Sequence, residues 1–252
     1  MNEPQHVIVS VSDGVCEVRL NRPDKRNAIT LEMYRALTSA VHAANVDDEV
    51  RVVLFSGEGA SFTSGNDLND FLSGPPIDQD HDAARFIRTL PAIRKVMMAA
   101  VQGSTVGIGA TLLLHCDLVV AARSARLSMP FVKLGLVPEA ASSLLLPRLI
   151  GYQRAAEMLL LGEPIDAQRA FDIGMVNRVV DDPALMSEAR ALARTVAQQP
   201  AGALLATRRL LQGGSTTLLG RMEEELEAFR EQLGSAEFRA AAQAFLSKRR
   251  GS

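Results

Sequence analysis

One carboxylate stands in an otherwise uncharged run, Leu136–Val137–Pro138–Glu139–Ala140–Ala141–Ser142–Ser143. A single acid in such surroundings is a candidate to take up and return a proton. Local sequence favours a plainer role. Proline lacks the N–H that a first helical turn leaves unpaired, and an acid beside it complements the helix dipole. A chemical role for Glu139 must therefore be argued from the rest of the chain.

Two glycine-containing loops, Ser64–Gly65–Asn66 and Gly107–Ile108–Gly109, each follow an expected strand. Small residues let backbone N–H groups approach a ligand closely. Two converging N–H groups are what a developing oxyanion needs. Taken singly, each loop reads first as a turn. The spacing Gly103-x-x-x-Gly107-x-Gly109 is not G-x-G-x-x-G and lies mid-chain after a hairpin, which excludes a dinucleotide fingerprint. His6 and His42 read as surface residues, and His81 falls in a stretch expected to be mobile. His115, beside Cys116 and Asp117 in an apolar helix, suits a hydrogen-bonded core role better than a metal site. Spacing reveals no nucleophile–base pair.

The elements that must position these residues follow from periodicity. Val7–Val11 and Val15–Leu20 flank Ser12–Asp13–Gly14 and read as a hairpin. A polar loop, Asn21–Ala28, leads to Thr30, which caps a helix over about 31–45 with Leu31, Tyr34, Leu37 and Val41 at helical spacing. Strands are expected at 50–55, 97–101, 118–122, 127–129 and near 176–180, with helices at about 82–95 and 108–115. Residues 70–80, rich in Gly, Pro and Asp, read as mobile and, with the helix to 95, as shaping a pocket. Beyond 141 helical patterns dominate, at 184–198, 201–211, 216–233 and 235–249. An α/β part of about 180 residues thus precedes an all-helical tail. That tail carries more apolar positions than one isolated helical layer needs, among them Leu210, Leu211, Met222, Leu226 and Phe229. Packing on the α/β body and burial against another subunit explain them equally well.

Composition bounds the class. The 252 residues are 47% hydrophobic and 22% charged with a net charge of −2, the balance of a soluble protein with a substantial core. No basic stripe or aromatic platform suits nucleic acid, and Lys248–Arg249–Arg250 is too short to change that. The N-terminus lacks a secretory pattern and no apolar run is long enough to span a bilayer. Cys16 and Cys116 have no metal-type spacing and read as small core hydrophobes. The expectation is a cytoplasmic protein with no membrane or nucleic-acid partner.

Taken together, four motifs resemble the enoyl-CoA hydratase/isomerase (crotonase) superfamily. They are Asn21–Ala28, Ser64–Gly65–Asn66–Asp67–Leu68, the run over 101–117 ending in Cys116–Asp117, and Pro130–Phe131…Leu134–Gly135…Pro138–Glu139. The resemblance runs in order along nearly the whole chain. It implies an α/β spiral of β-β-α units over residues 1–195, with a C-terminal helical region over 196–252 that mediates trimers or dimers of trimers. It also implies an acyl-CoA thioester substrate, coenzyme A being part of that substrate, with no separate cofactor and no metal. By motif position, the thioester oxygen sits between the N–H groups of Asn66 and Ile108. Ala28 and the first loop would contact the CoA moiety, with Lys25, Arg26 and Lys248 near its phosphates. Ser64, Gly65, Asp67, Leu68, Gly107 and Phe131 complete the implied substrate contacts.

Departures from the family pattern direct the functional reading. Hydratases of this family carry two glutamates, where this chain has Thr111 and Phe131. Adding water to a double bond needs a carboxylate to activate water and an acid to supply a proton; neither residue does this. Glu139 and its neighbours resemble instead the Δ3,Δ2-enoyl-CoA isomerase branch, where this glutamate is the base. One carboxylate suffices for that reaction, which takes a proton from C2 and returns one to C4 of an oxyanion-stabilised enolate. A helix start lowers the Glu139 pKa and burial raises it; burial is expected to win. The alternatives are an enoyl-CoA hydratase or other crotonase-type reaction, and a non-catalytic acyl-CoA-binding protein.

Overall fold

The computed structural model describes residues 5–73, 78, 80–212 and 216–250. Alternating β-branched residues build the first hairpin, β1 (Val7–Ser12) and β2 (Val15–Leu20), joined through Asp13 and Gly14, both at positive φ. The helix α1 (Leu31–Val46) begins where the Thr30 side chain accepts the Met33 N–H. Next come β3 (Val52–Gly57), α2 (Leu68–Ser73), α3 (Asp82–Thr89), β4 (Val96–Val101), β5 (Ser104–Val106) and α4 (Ile108–Leu113). The chain continues through β6 (Leu118–Ala122), β7 (Arg126–Ser128), α5 (Ser142–Ile150), α6 (Tyr152–Leu161), β8 (Ile165–Asp166), α7 (Ala167–Asp172) and β9 (Arg178–Val180). Four helices close it: α8 (Leu185–Ala197), α9 (Ala201–Gln212), α10 (Thr216–Leu233) and α11 (Ala236–Arg250).

Six strands form one sheet in the order β1-β2-β3-β4-β6-β9, parallel throughout except for the β1–β2 pair. A second, three-stranded sheet has the order β5-β7-β8. Alternation sends Val53, Phe55, Met97 and Ala99 into a large core shared with α1, α3 and α4. Their neighbours Val52, Leu54, Met98 and Ala100 enter a smaller core with Leu185, Ala189 and Ala193 of α8. With both faces covered, β3 and β4 are buried along their full length, as parallel strands must be.

Parallel pairing puts the loops that follow β2, β3 and β4 at one end of the sheet. The Ser64 N–H donates to Arg26 O at 2.9 Å, Thr63 N–H to Ser104 O at 3.0 Å and Val106 N–H to Thr63 O at 3.1 Å. The segments around residues 26, 64 and 106 therefore form one cluster, outside the carboxyl ends of the strands where ligands of α/β sheets bind.

Several expectations need correction. The helix α5 begins at Ser142, not at Pro138–Glu139, because Ala140 and Ala141 both adopt the left-handed conformation (φ 57° and 55°). His81 is 4% exposed and caps α3 by accepting the Ala83 N–H, rather than lying in a mobile loop. Part of the stretch 70–80, residues 74–77 and 79, lies outside the described residues, whereas 68–73 is helical. Strands β5 and β8, of three and two residues, are too short to show a period. The tail's apolar positions divide: Met222 and Phe229 are buried against the body, while Leu210 and Leu211 are exposed.

Candidate active site

The two glycine loops meet through their backbones. Gly65 has φ +91°, and a Cβ there would stand 3.1 Å from Val106 O; a Cβ on Gly109 would strike Thr63 Cγ2 at 2.4 Å. Only glycine permits this approach. Ile108 opens α4, where no preceding turn offers its N–H an acceptor. Ile29 takes up the Gly65 carbonyl and the Asp67 N–H, and leaves the Asn66 N–H between them unused. Among the described residues neither the Asn66 nor the Ile108 N–H has a protein acceptor. The Asn66 side chain is fixed by the hydroxyl of Tyr34, a fully buried residue of α1 that donates to its Oδ1.

Glu139 lies within reach of the same turn. Thr111 Oγ1 is 3.4 Å from Glu139 Oε1 and 3.4 Å from Ile108 O, so one hydroxyl lies between the carboxylate and the start of α4. Glu139 is 8% exposed. Burial, then the charge of Glu225, push its pKa up to about 8 against the opposing Thr111 hydrogen bond. The charge of Glu139 adds to burial in raising the Tyr34 phenol well above its ordinary range.

A clamp holds the turn that follows Glu139. The Ala141 N–H donates to Glu225 Oε2 at 2.6 Å, while the Ser143 N–H and hydroxyl donate to Glu225 Oε1 at 3.0 and 2.5 Å. His115 Nε2 lies 2.8 Å from Ala140 O. Burial lowers its pKa to about 4, so the ring is neutral and donates to that carbonyl, the core role expected of it. The acid at the start of α5 is thus Glu225, reaching from α10, and not Glu139.

Beside both glutamates opens a narrow cleft, lined by Ala83, Ala84 and Ile87 of α3 and by Met222, Leu226 and Phe229 of α10. Its walls are apolar except for Glu139, Glu225 and Arg88, and Arg88 is ion-paired to Glu223.

The other residues singled out by sequence lie at varied distances from this chemistry. Lys25 and Arg26 are exposed on the loop that Ser64 joins, and Ala28 is buried behind them. The Asp67 carboxylate is taken by Arg22 at 2.7 Å, so its contact is structural; Leu68 opens α2. Gly107 sits at φ +57° immediately before Ile108. Phe131 is buried in the large core and does not line the cleft. The Lys248 side chain lies outside the described residues. Sequence reasoning missed Tyr34 as a site residue, Thr111 as a partner of Glu139, and Glu225 altogether. Glu225 had a signal: it interrupts the apolar stripe Met222, Leu226, Phe229 at spacings of i, i+3, i+4 and i+7.

Residues 10–252 match the family model described as enoyl-CoA hydratase/isomerase. The chain is 37% identical to a 1,2-epoxyphenylacetyl-CoA isomerase of Escherichia coli (strain K12), over 97% of each chain. It is 34% identical to enoyl-CoA delta isomerase 2 of Rattus norvegicus, over 88% of this chain and 58% of that protein. Among solved structures, an enoyl-CoA hydratase/isomerase from Pseudoalteromonas atlantica T6c superimposes with a TM-score of 0.93 at 38% identity, covering 97% of this chain and 98% of that one. These matches bear out the α/β crotonase fold.

Proposed function

This chain belongs to the enoyl-CoA hydratase/isomerase family, and we propose that it is a Δ3,Δ2-enoyl-CoA isomerase. The observation that carries the reading is Glu139, a buried carboxylate beside the first turn of α4, with Thr111 and Phe131 where family hydratases carry glutamates. Glu225 does not restore the missing pair. Both its oxygens accept hydrogen bonds from Ala141 and Ser143, so it does not serve as a second catalytic carboxylate beside Glu139.

In this reading the thioester oxygen accepts from the Asn66 and Ile108 N–H groups. Glu139 takes the C2 proton, and the electron pair of that C–H bond moves toward the carbonyl to give a dienolate. The two N–H groups hold its negative charge. Glu139 then returns the proton to C4, and the double bond stands between C2 and C3. A carboxyl with its pKa raised to about 8 is a stronger base for the C2 proton, and once protonated it is still a far stronger acid than the C–H it re-forms, so it can return the proton to the dienolate. The cleft between α3 and α10 takes the apolar acyl chain, and Lys25 and Arg26 face the CoA phosphates. A homotrimer or dimer of trimers, built in part on the exposed Leu210 and Leu211, and a cytoplasmic location belong to the same proposal.

Separate incubations with a 3-enoyl-CoA and a 2-enoyl-CoA test it. Conversion of the first to the 2-enoyl ester, with little hydration of the second, is the expected result. Fast addition of water to the 2-enoyl ester would support the hydratase reading instead.

A further inference from the structure

Ala140 and Ala141 are consecutive left-handed alanines, a strained conformation because Cβ crowds the following carbonyl. Such strain persists where surrounding contacts over-determine it. The contacts here come from Glu225, set in the face of α10 that otherwise packs apolar side chains on the body. No basic side chain lies within ion-pair distance of it among the described residues. Docking α10 alone would be served better by an apolar residue, since an acid buried without a cation is costly. The acid is matched instead to the Ala141 and Ser143 N–H groups and the Ser143 hydroxyl.

We infer that Glu225 is a positioning residue for the reaction: through its hydrogen bonds to Ala141 and Ser143 it fixes the left-handed turn that aims Glu139, and it sets a negative charge beside that carboxyl. The inference rests on Glu139 being the proton carrier proposed above. The charged and titratable groups around this pair are few. Burial raises the pKa of Glu225 itself, opposed by its hydrogen bonds to Ser143 and Ala141 and by the charge of Arg221 on α10; Arg88 of α3 lines the cleft but is tied to Glu223, and Tyr34 of α1 feels the charge of Glu139. Neutral His115 holds the Ala140 carbonyl from the other side. Of these, Glu225 alone combines a negative charge with hydrogen bonds to the turn.

The pH profile of kcat/KM on a 3-enoyl-CoA separates this role from a purely structural one. Glu225→Gln removes the charge, and the inflection near pH 8 should move down by about one unit, with kcat falling about tenfold at little-changed KM. Glu225→Asp keeps the charge but not the reach, so kcat should fall while the inflection stays. An inflection that does not move in Glu225→Gln overturns the inference. Ser143→Ala is read where Glu225→Gln does not fold: kcat should fall several-fold at constant KM and folding, and an unchanged kcat overturns the inference. Glu139→Gln in the same assay keeps the two ideas apart. If it turns over normally the isomerase reading fails. If it is dead and the Glu225→Gln profile is unshifted, only the inference fails.

Discussion

Thr111 Oγ1 lies 3.4 Å from Glu139 Oε1, so a hydroxyl on the first turn of α4 reaches the buried carboxylate. That contact stabilises the ionised form and opposes the effects of burial and Glu225. Thr111→Val, nearly equal in shape, should move the inflection in kcat/KM to higher pH and slow turnover at pH 7. A pH–rate series measures it, and a shift to lower pH would contradict the assigned contact.

The raised pKa of Glu139 sets the pH dependence of the enzyme itself. The base must be ionised to take the C2 proton, so kcat/KM should rise with pH and level off above about pH 8. An ordinary exposed glutamate would give a flat profile from pH 6 upward. Steady-state rates between pH 5.5 and 9.5, at subsaturating 3-enoyl-CoA, distinguish the two.

Glu139 should also cost the fold stability. Its carboxyl keeps a proton from about 4.5, the ordinary value, to about 8 in the folded chain, while the unfolded chain loses it near 4.5. The folded state therefore binds more protons over that window, and its stability falls as pH rises through it. Glu139→Gln removes this loss and should stabilise the protein by a few kcal/mol at pH 8.5 and by much less at pH 4.5. Urea unfolding at the two pH values checks the sign.

Gly65→Ala tests the oxyanion loop. An alanine at φ +91° is strained, and its Cβ would stand 3.1 Å from the Val106 carbonyl, so the loop must shift. Displacing one N–H donor should lower kcat by about 10²-fold or more, with a much smaller change in acyl-CoA affinity. Binding by calorimetry beside turnover separates the two effects.

Much of this architecture was legible in the residues. Val52–Gly57 and Leu118–Ala122 announce themselves as buried strands, and Thr30 marks the start of α1 by its side-chain chemistry. The stretch around Glu139 was read less well. Pro138–Glu139 has the composition of a helix start, but the turn at Ala140–Ala141 is imposed from α10, 84 residues away at the Ala141–Glu225 bond, and nothing local encodes it. Tyr34 fits a core stripe, so its hydroxyl's bond to Asn66 was invisible to periodicity. Glu225 was detectable as an acid breaking an apolar stripe, although its partners were not.

Glu139 as the lone proton carrier is the claim on which the rest depends. Turnover of a 3-enoyl-CoA by wild type and Glu139→Gln, side by side with acyl-CoA binding to both, tests it most directly. The account predicts a loss of at least about 10³-fold in kcat with affinity changed only a few-fold. Isomerisation by Glu139→Gln at a rate near that of wild type would contradict it.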